Sequence, residues 1–283
     1  MPLRFQQHPG LVVYLTAGDN GLSWQENGKP ASGPTDLSPT DLSMTREIAI
    51  AAIDAGADVI ELGVPFSDPL ADGPVIQRAS ERALARGTRL TDVLNLAREI
   101  REARPQAGLV IFTYVNPILR FGMSAFVDAA VAAGVDGVLL TDMIVEEAGE
   151  YIAEMNRVNL APIFLAAPTS PDERLAAIAE HSKGFIYAIS RTGITGQQEN
   201  VASDAARLVE RIRRWTHWRK LPIAVGFGIS NADHVTQVAE FADAAVIGSA
   251  IVQIIERAGP GEAPNAVSRF IEGLRQPLPA QAL

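Results

Sequence analysis

The stretch "ELGVPFSDPLADGP", residues 61–74, sets three carboxylates, Glu61, Asp68 and Asp72, among three prolines. Glu61 ends an apolar run. Desolvation there disfavours the charged form and raises the pKa, the condition for a general acid or proton shuttle near neutral pH. Asp72 follows on a loop stiffened by Pro65, Pro69 and Pro74, which poses it to face Glu61 across a bound molecule. Two carboxylates in unlike environments can divide acid and base roles. The competing reading is an acidic turn or helix cap on a stable scaffold. Asp68 has the weaker claim, as loop charge or a partner contact, and an all-carboxylate magnesium site from Glu61, Asp68 and Asp72 is a further alternative.

Other motifs point to an anion. "GFGIS" (226–230) and "GSAI" (248–251) each close an apolar run and open a helical pattern, and backbone amides at such a junction bind phosphate without a lysine. Either motif alone also fits a tight turn. The loop "SRTGITG" (190–196) adds amides from Gly193 and Gly196, or is a plain connection. Tyr114 and Tyr187, near or on strands, read equally as core or as substrate contacts. Asp142, before "IVEEA", reads as the N-cap of the following helix.

Several chemistries lack their residues. There is no cysteine, and the three lysines, Lys29, Lys183 and Lys220, fall in a long insertion or just before strands, so none is placed for a Schiff base. The four histidines, His8, His181, His217 and His234, lie in the leader or on helical segments, away from any triad or imidazole-ligated metal. The residues therefore describe proton-transfer chemistry on a small phosphorylated substrate that accepts its own electrons.

Such a site must be positioned by strands. Short β-branched runs alternate with longer amphipathic segments, the pattern of a parallel sheet with crossover helices. Strands are predicted at Leu11–Thr16, Asp58–Leu62, Leu109–Tyr114, Gly137–Leu140, Pro162–Ala166, Phe185–Ser190, Ile223–Gly226 and Ala244–Gly248. Helices are predicted near 45–55, 75–86, 91–103, 123–132, 145–157, 172–181, 203–216, 231–240, 249–257 and 263–274. An internal echo, "AGADVIEL" at 55, "AGVDGVLL" at 133 and "FADAAVIG" at 241, supports one repeated unit. Eight such units with near-continuous apolar strands predict a single (β/α)8 TIM barrel over residues 1–283. In that fold strand C-termini build the active site and strand N-termini serve stability, which selects Glu61, Asp72 and the glycine loops after the last two strands.

Residues 20–43 form one long Gly-, Pro- and Ser-rich insertion after the first strand, read as a flexible excursion or a lid. A net charge of −9 without a basic run argues against nucleic acid or an anionic membrane as partner. No apolar run approaches the roughly 20 residues of a membrane helix. Those features predict a soluble, cytoplasmic protein.

The sequence closely resembles the tryptophan synthase α-subunit family at "ELGVPFSDPLADGP". Family order continues through "YLTAGD" at 14, "YVNP" at 114, "APIF" at 161, "YAISRTGITG" at 187, "GFGIS" at 226 and "IGSAIV" at 247, nearly the whole chain. The resemblance implies a lyase of tryptophan biosynthesis that splits indole-3-glycerol phosphate into indole and glyceraldehyde 3-phosphate. It makes Glu61 the acid/base and Asp72 its partner, places Gly196, Gly228, Gly248 and Ser249 around the phosphate, lines the pocket with Tyr187 and Phe227, and has Thr195 help pose Asp72. It implies no cofactor in this chain and a pyridoxal-phosphate β subunit as partner in an α2β2 complex. A stand-alone lyase and a non-catalytic phosphate-binding barrel are the alternatives. The chain departs from the family pattern in Asn20 after "GD", in Ile144 after Asp142 and Met143, and in a leader too short for the usual helix that plugs the barrel base.

Overall fold

The computed structural model describes residues 3–21, 41–189, 198–217, 219–226, 228–259 and 261–275. Most of the predicted insertion, and the loop holding Thr195 and Gly196, therefore lie outside the described residues, as does Phe227. The strands are β1 (Gly10–Thr16), β2 (Val59–Gly63), β3 (Gly108–Thr113), β4 (Gly137–Leu140), β5 (Ala161–Ile163), β6 (Leu165–Ala166), β7 (Ile186–Ile189), β8 (Ile223–Gly226) and β9 (Ala244–Ile247). The helices are α1 (Ser43–Asp54), α2 (Pro74–Ala85), α3 (Leu90–Ala103), α4 (Val115–Phe121), α5 (Met123–Ala132), α6 (Gly149–Arg157), α7 (Asp172–His181), α8 (Gln198–Thr216), α9 (Ala232–Ala239), α10 (Ser249–Ala258) and α11 (Ala263–Arg275).

All pairings are parallel, in the order β5-β4-β3-β2-β1-β9-β8-β7-β6. The two ends of that order, β5 and β6, are halves of the predicted fifth strand, separated only by Phe164. The first half pairs with β4 and the second with β7, so the sheet closes into the expected barrel through a strand that bends midway.

Both strand faces are dry, which explains the near-continuous apolar runs. Leu11, Val13 and Leu15 point outward to the helices, whereas Val12 joins Val59, Val110, Leu139, Phe185 and Ala244 inside the barrel. At the base, Leu3 and Phe5 of the leader pack on that inner cluster. Glycines make the room, since a Cβ on Gly10 would fall 2.2 Å from the Phe5 ring and one on Gly108 2.9 Å from Leu3.

The sequence echo has a structural meaning. Its aspartates, Asp58, Asp136 and Asp243, stand just before β2, β4 and β9, and each accepts a backbone N–H at the start of a neighbouring strand, from Leu11 (2.8 Å), Leu109 (2.9 Å) and Ile223 (2.8 Å). Each also meets an arginine from a helix, Arg275 at 2.8 Å, Arg101 at 2.6 Å and Arg213 at 2.9 Å. Repetition here concerns the stability end of the barrel. Asp58 takes the Gln6 N–H as well. Replacing it by Asn leaves the partly buried Arg275 without its counter-charge, and equilibrium denaturation should show a loss of about 1–3 kcal/mol.

Two local expectations are corrected. Helix α4 was not predicted, because Pro117 reads as a breaker; it occupies the first turn, where its missing N–H has no intrahelical acceptor to serve. Asp142 does not cap the helix that follows it. That segment begins as a 3-10 turn, Val145–Glu147, with Ile144 at the cap position. Asp142 instead accepts the Val115 N–H at 2.8 Å, capping α4, because β4 ends beside β3 where α4 starts.

Candidate active site

Glu61 lies on the inward face of β2 with Tyr14 of β1 and Val110 of β3 as its neighbours in register. It is fully buried and neither carboxyl oxygen has a hydrogen-bond partner. Burial raises its pKa to about 8, so at neutral pH this side chain is a protonated acid. A buried carboxyl with both oxygens unpartnered is a cost that folding alone does not require.

Asp72 is held differently. Its loop turns through an Asp72 N–H to Pro69 carbonyl bond of 3.0 Å and a Gln77 side chain that donates to the Asp72 carbonyl at 2.8 Å. Gly73 then caps α2, and Pro74 takes its first position. The Tyr114 hydroxyl donates to Asp72 Oδ2 at 3.1 Å and accepts the Ala71 N–H at 3.1 Å, while its ring tilts against Phe66 at 5.0 Å. Burial raises the Asp72 pKa to about 6 and the Tyr114 bond opposes that rise, so Asp72 is mainly ionised at pH 7. The two acids thus rest in opposite protonation states.

Three tyrosines surround them. Burial raises the Tyr14 and Tyr187 hydroxyl pKa values, and the charges of both Asp72 and Glu61 add to the effect, placing all four groups around one space. Missing side chains make that space: a Cβ on Gly63 would lie 2.2 Å from Tyr14 Oη, and one on Gly226 would lie 2.9 Å from Tyr187 Oη.

The loops after β8 and β9 are neighbours through strand pairing, and β1 alone separates β9 from the strand that carries Glu61. Gly248 caps α10 and Ser249 opens it, leaving first-turn amides free of intrahelical acceptors. Gly228 has φ +79° and open space where a side chain would stand. The Ser230 amide is already engaged by His234 Nδ1 at 3.3 Å, and Asn231 caps α9. Thr195, Gly196 and Phe227 cannot be placed, as they fall outside the described residues. Asp68 is exposed and takes the Ser67 hydroxyl at 2.6 Å, and among the described residues no three His, Asp or Glu side chains gather as a cation site would.

The sequence reading missed a buried ion pair behind the site. Arg82 of α2 holds Asp19 of the loop after β1 through Nε (2.7 Å) and Nη2 (2.9 Å), with side chains 4% and 1% exposed, and reaches Glu256 of α10 at 2.9 Å. One guanidinium therefore joins the β1 loop, the helix behind Asp72 and the helix that Ser249 begins.

The sequence profile of the family described as "Tryptophan synthase alpha chain" matches residues 37–276. The chain belongs to the tryptophan synthase α-chain family. It is 48% identical over 270 residues to the tryptophan synthase alpha chain of Laribacter hongkongensis, covering 95% of this chain and 93% of that one. Identity to the Solibacter usitatus alpha chain is 46% over 255 residues, covering 90% and 86%. Among solved structures, the tryptophan synthase complex of Pyrococcus furiosus superposes with a TM-score of 0.79 at 34% identity, covering 94% of this chain and 98% of that one. A further similar structure is titled as the a2b2 complex of the same organism. The tryptophan synthase α chain is a lyase that cleaves indole-3-glycerol phosphate to indole and glyceraldehyde 3-phosphate; it needs no cofactor, and pyridoxal phosphate belongs to the β subunit it partners. No helix among the described residues is long and apolar enough to cross a membrane.

Proposed function

We propose that Glu61 and Asp72 carry the retro-aldol step of the tryptophan synthase α reaction. Protonated Glu61 delivers its proton to C3 of the indole ring, which turns the heterocycle into an electron sink. Asp72 faces the ring N–H and offsets the positive charge that develops there. The Glu61 carboxylate then accepts the proton of the glycerol hydroxyl, the carbon–carbon bond breaks, its electrons restore the aromatic ring, and the aldehyde leaves. One proton is given and one regained, so Glu61 ends as it began. The carrying observation is a fully buried carboxyl without a partner, held neutral beside an ionised one.

The amides around Gly228, Gly248 and Ser249 fit the phosphate, with Gly196 and Thr195 assigned by family motif and Tyr187 and Phe227 as pocket walls. Gly228→Asp brings a carboxylate into that space and a side chain into a left-handed turn; glycerol phosphate affinity should fall at least about tenfold by titration calorimetry, and unchanged affinity would place the phosphate elsewhere. Leu70, 95% exposed on the loop that carries Asp72, gives the β subunit an apolar contact at the site's rim. A cytoplasmic setting suits a biosynthetic lyase of this family. Indole release by the purified chain, with and without a β subunit, tests the whole. An α subunit turns over slowly until the partner is added, whereas equal turnover in both conditions marks a stand-alone lyase and no turnover in either marks a binding barrel.

A further inference from the structure

Tyr14 has a place that packing alone does not explain. It is the register partner of Glu61 across β1 and β2, so both side chains leave the sheet on the inward face. Its ring meets Phe112 edge-on at 5.1 Å and packs with Ala79 and Val252, which fixes the ring plane. The phenol oxygen lies against Gly63, two residues beyond Glu61 on the same face of β2, in the only kind of gap that would admit it. Thr16 Oγ1 donates to that oxygen at 3.3 Å. Because Thr16 supplies the proton of that bond, the Tyr14 hydroxyl proton is not used in it. The charged and titratable groups facing Tyr14 are Glu61 on β2, Asp72 before α2, Tyr114 after β3 and Tyr187 on β7.

We propose that Tyr14 is a positioning residue for Glu61, its hydroxyl turning to donate a hydrogen bond to the Glu61 carboxylate once the proton has passed to the substrate. The inference rests on the reading of Glu61 as the acid. In the resting site Glu61 is neutral and needs no donor, and it has none. After proton delivery a bare carboxylate would sit in a dry barrel mouth, and an ionised group there is stabilised mainly by donors already aimed at it. The Tyr14 hydroxyl is such a donor, since burial and the nearby carboxylates keep it protonated throughout the working range. Packing holds the ring and Thr16 holds the oxygen, so the Glu61 carboxylate, unpartnered in the resting site, closes on the Tyr14 hydroxyl as that O–H turns toward it.

Tyr14→Phe keeps the ring and removes that donor. With the β subunit present, kcat should fall about 10–100-fold while KM changes less than about threefold, and the alkaline limb that belongs to Glu61 should move to higher pH. Adding Tyr14→Phe to Glu61→Gln should cost nothing more, since the hydroxyl acts only through the carboxyl. A wild-type kcat and pH profile in Tyr14→Phe, with Glu61→Gln inactive, overturns this inference and leaves the acid assignment standing. Full turnover in Glu61→Gln overturns the acid assignment itself, and Tyr14 with it.

Discussion

Glu61→Gln should lower indole release by about 10²–10⁴-fold, the range a positioned general acid supplies, while the barrel stays folded. Glutamine keeps the shape of the side chain and removes the proton that moves. The same variant should gain stability in a way that depends on pH. Native Glu61 holds its proton up to about pH 8, whereas an unfolded glutamate loses it near 4.5. Between those values the native state binds the extra proton, so wild-type stability falls as pH rises through the window. Below 4.5 the cost is absent, and above 8 it is complete, on the order of 5 kcal/mol. The glutamine variant has no such slope. Its Tm advantage should therefore widen from pH 5 to pH 8, and equal Tm differences at both would mean that the buried carboxyl is already ionised in the native wild type.

Asp72→Asn should cost about 10²–10³-fold in kcat/KM, the scale for removing one aimed electrostatic group. The amide oxygen still accepts the Tyr114 hydroxyl, so the loop geometry survives and the loss reports the missing charge. Because burial lifts the Asp72 pKa from 3.8 to about 6, its ionisation in the native state is also slightly costly above that range, and the variant should be no less stable than wild type at pH 7. A stable but still active Asn variant would remove Asp72 from the chemistry. Lost activity with lost stability would instead point to a collapsed loop, which circular dichroism distinguishes.

Much of this site was legible because strand periodicity is a local property. Glu61 ends an apolar run in the sequence and occupies a dry strand face in the fold, and Gly137–Leu140 and Ile223–Gly226 were bounded as observed. The prolines around Asp72 also act locally, through the turn and the start of α2. What escaped depends on contacts between distant residues. Arg82 and Asp19 are 63 positions apart and Asp72 and Tyr114 are 42, and no periodicity links them. Asp142 carried a sound capping signal but found its amide on a helix earlier in the chain, since lateral strand order decides which helix end lies nearby. The leader looked too short for the family's plugging helix, and two of its side chains pack into the barrel base at glycine notches that only the closed fold creates. Tyr14 was visible as a member of "YLTAGD", yet its pairing with Glu61 required the register of β1 on β2.

The most direct measurement is the pH dependence of kcat/KM for indole-3-glycerol phosphate cleavage, which reports the essential groups of the free enzyme. The account predicts a bell with a rising limb near pH 6, where Asp72 ionises, and a falling limb near pH 8, where Glu61 loses its proton. A profile flat from pH 5 to 9, or one that keeps both limbs after Asp72→Asn, would contradict it.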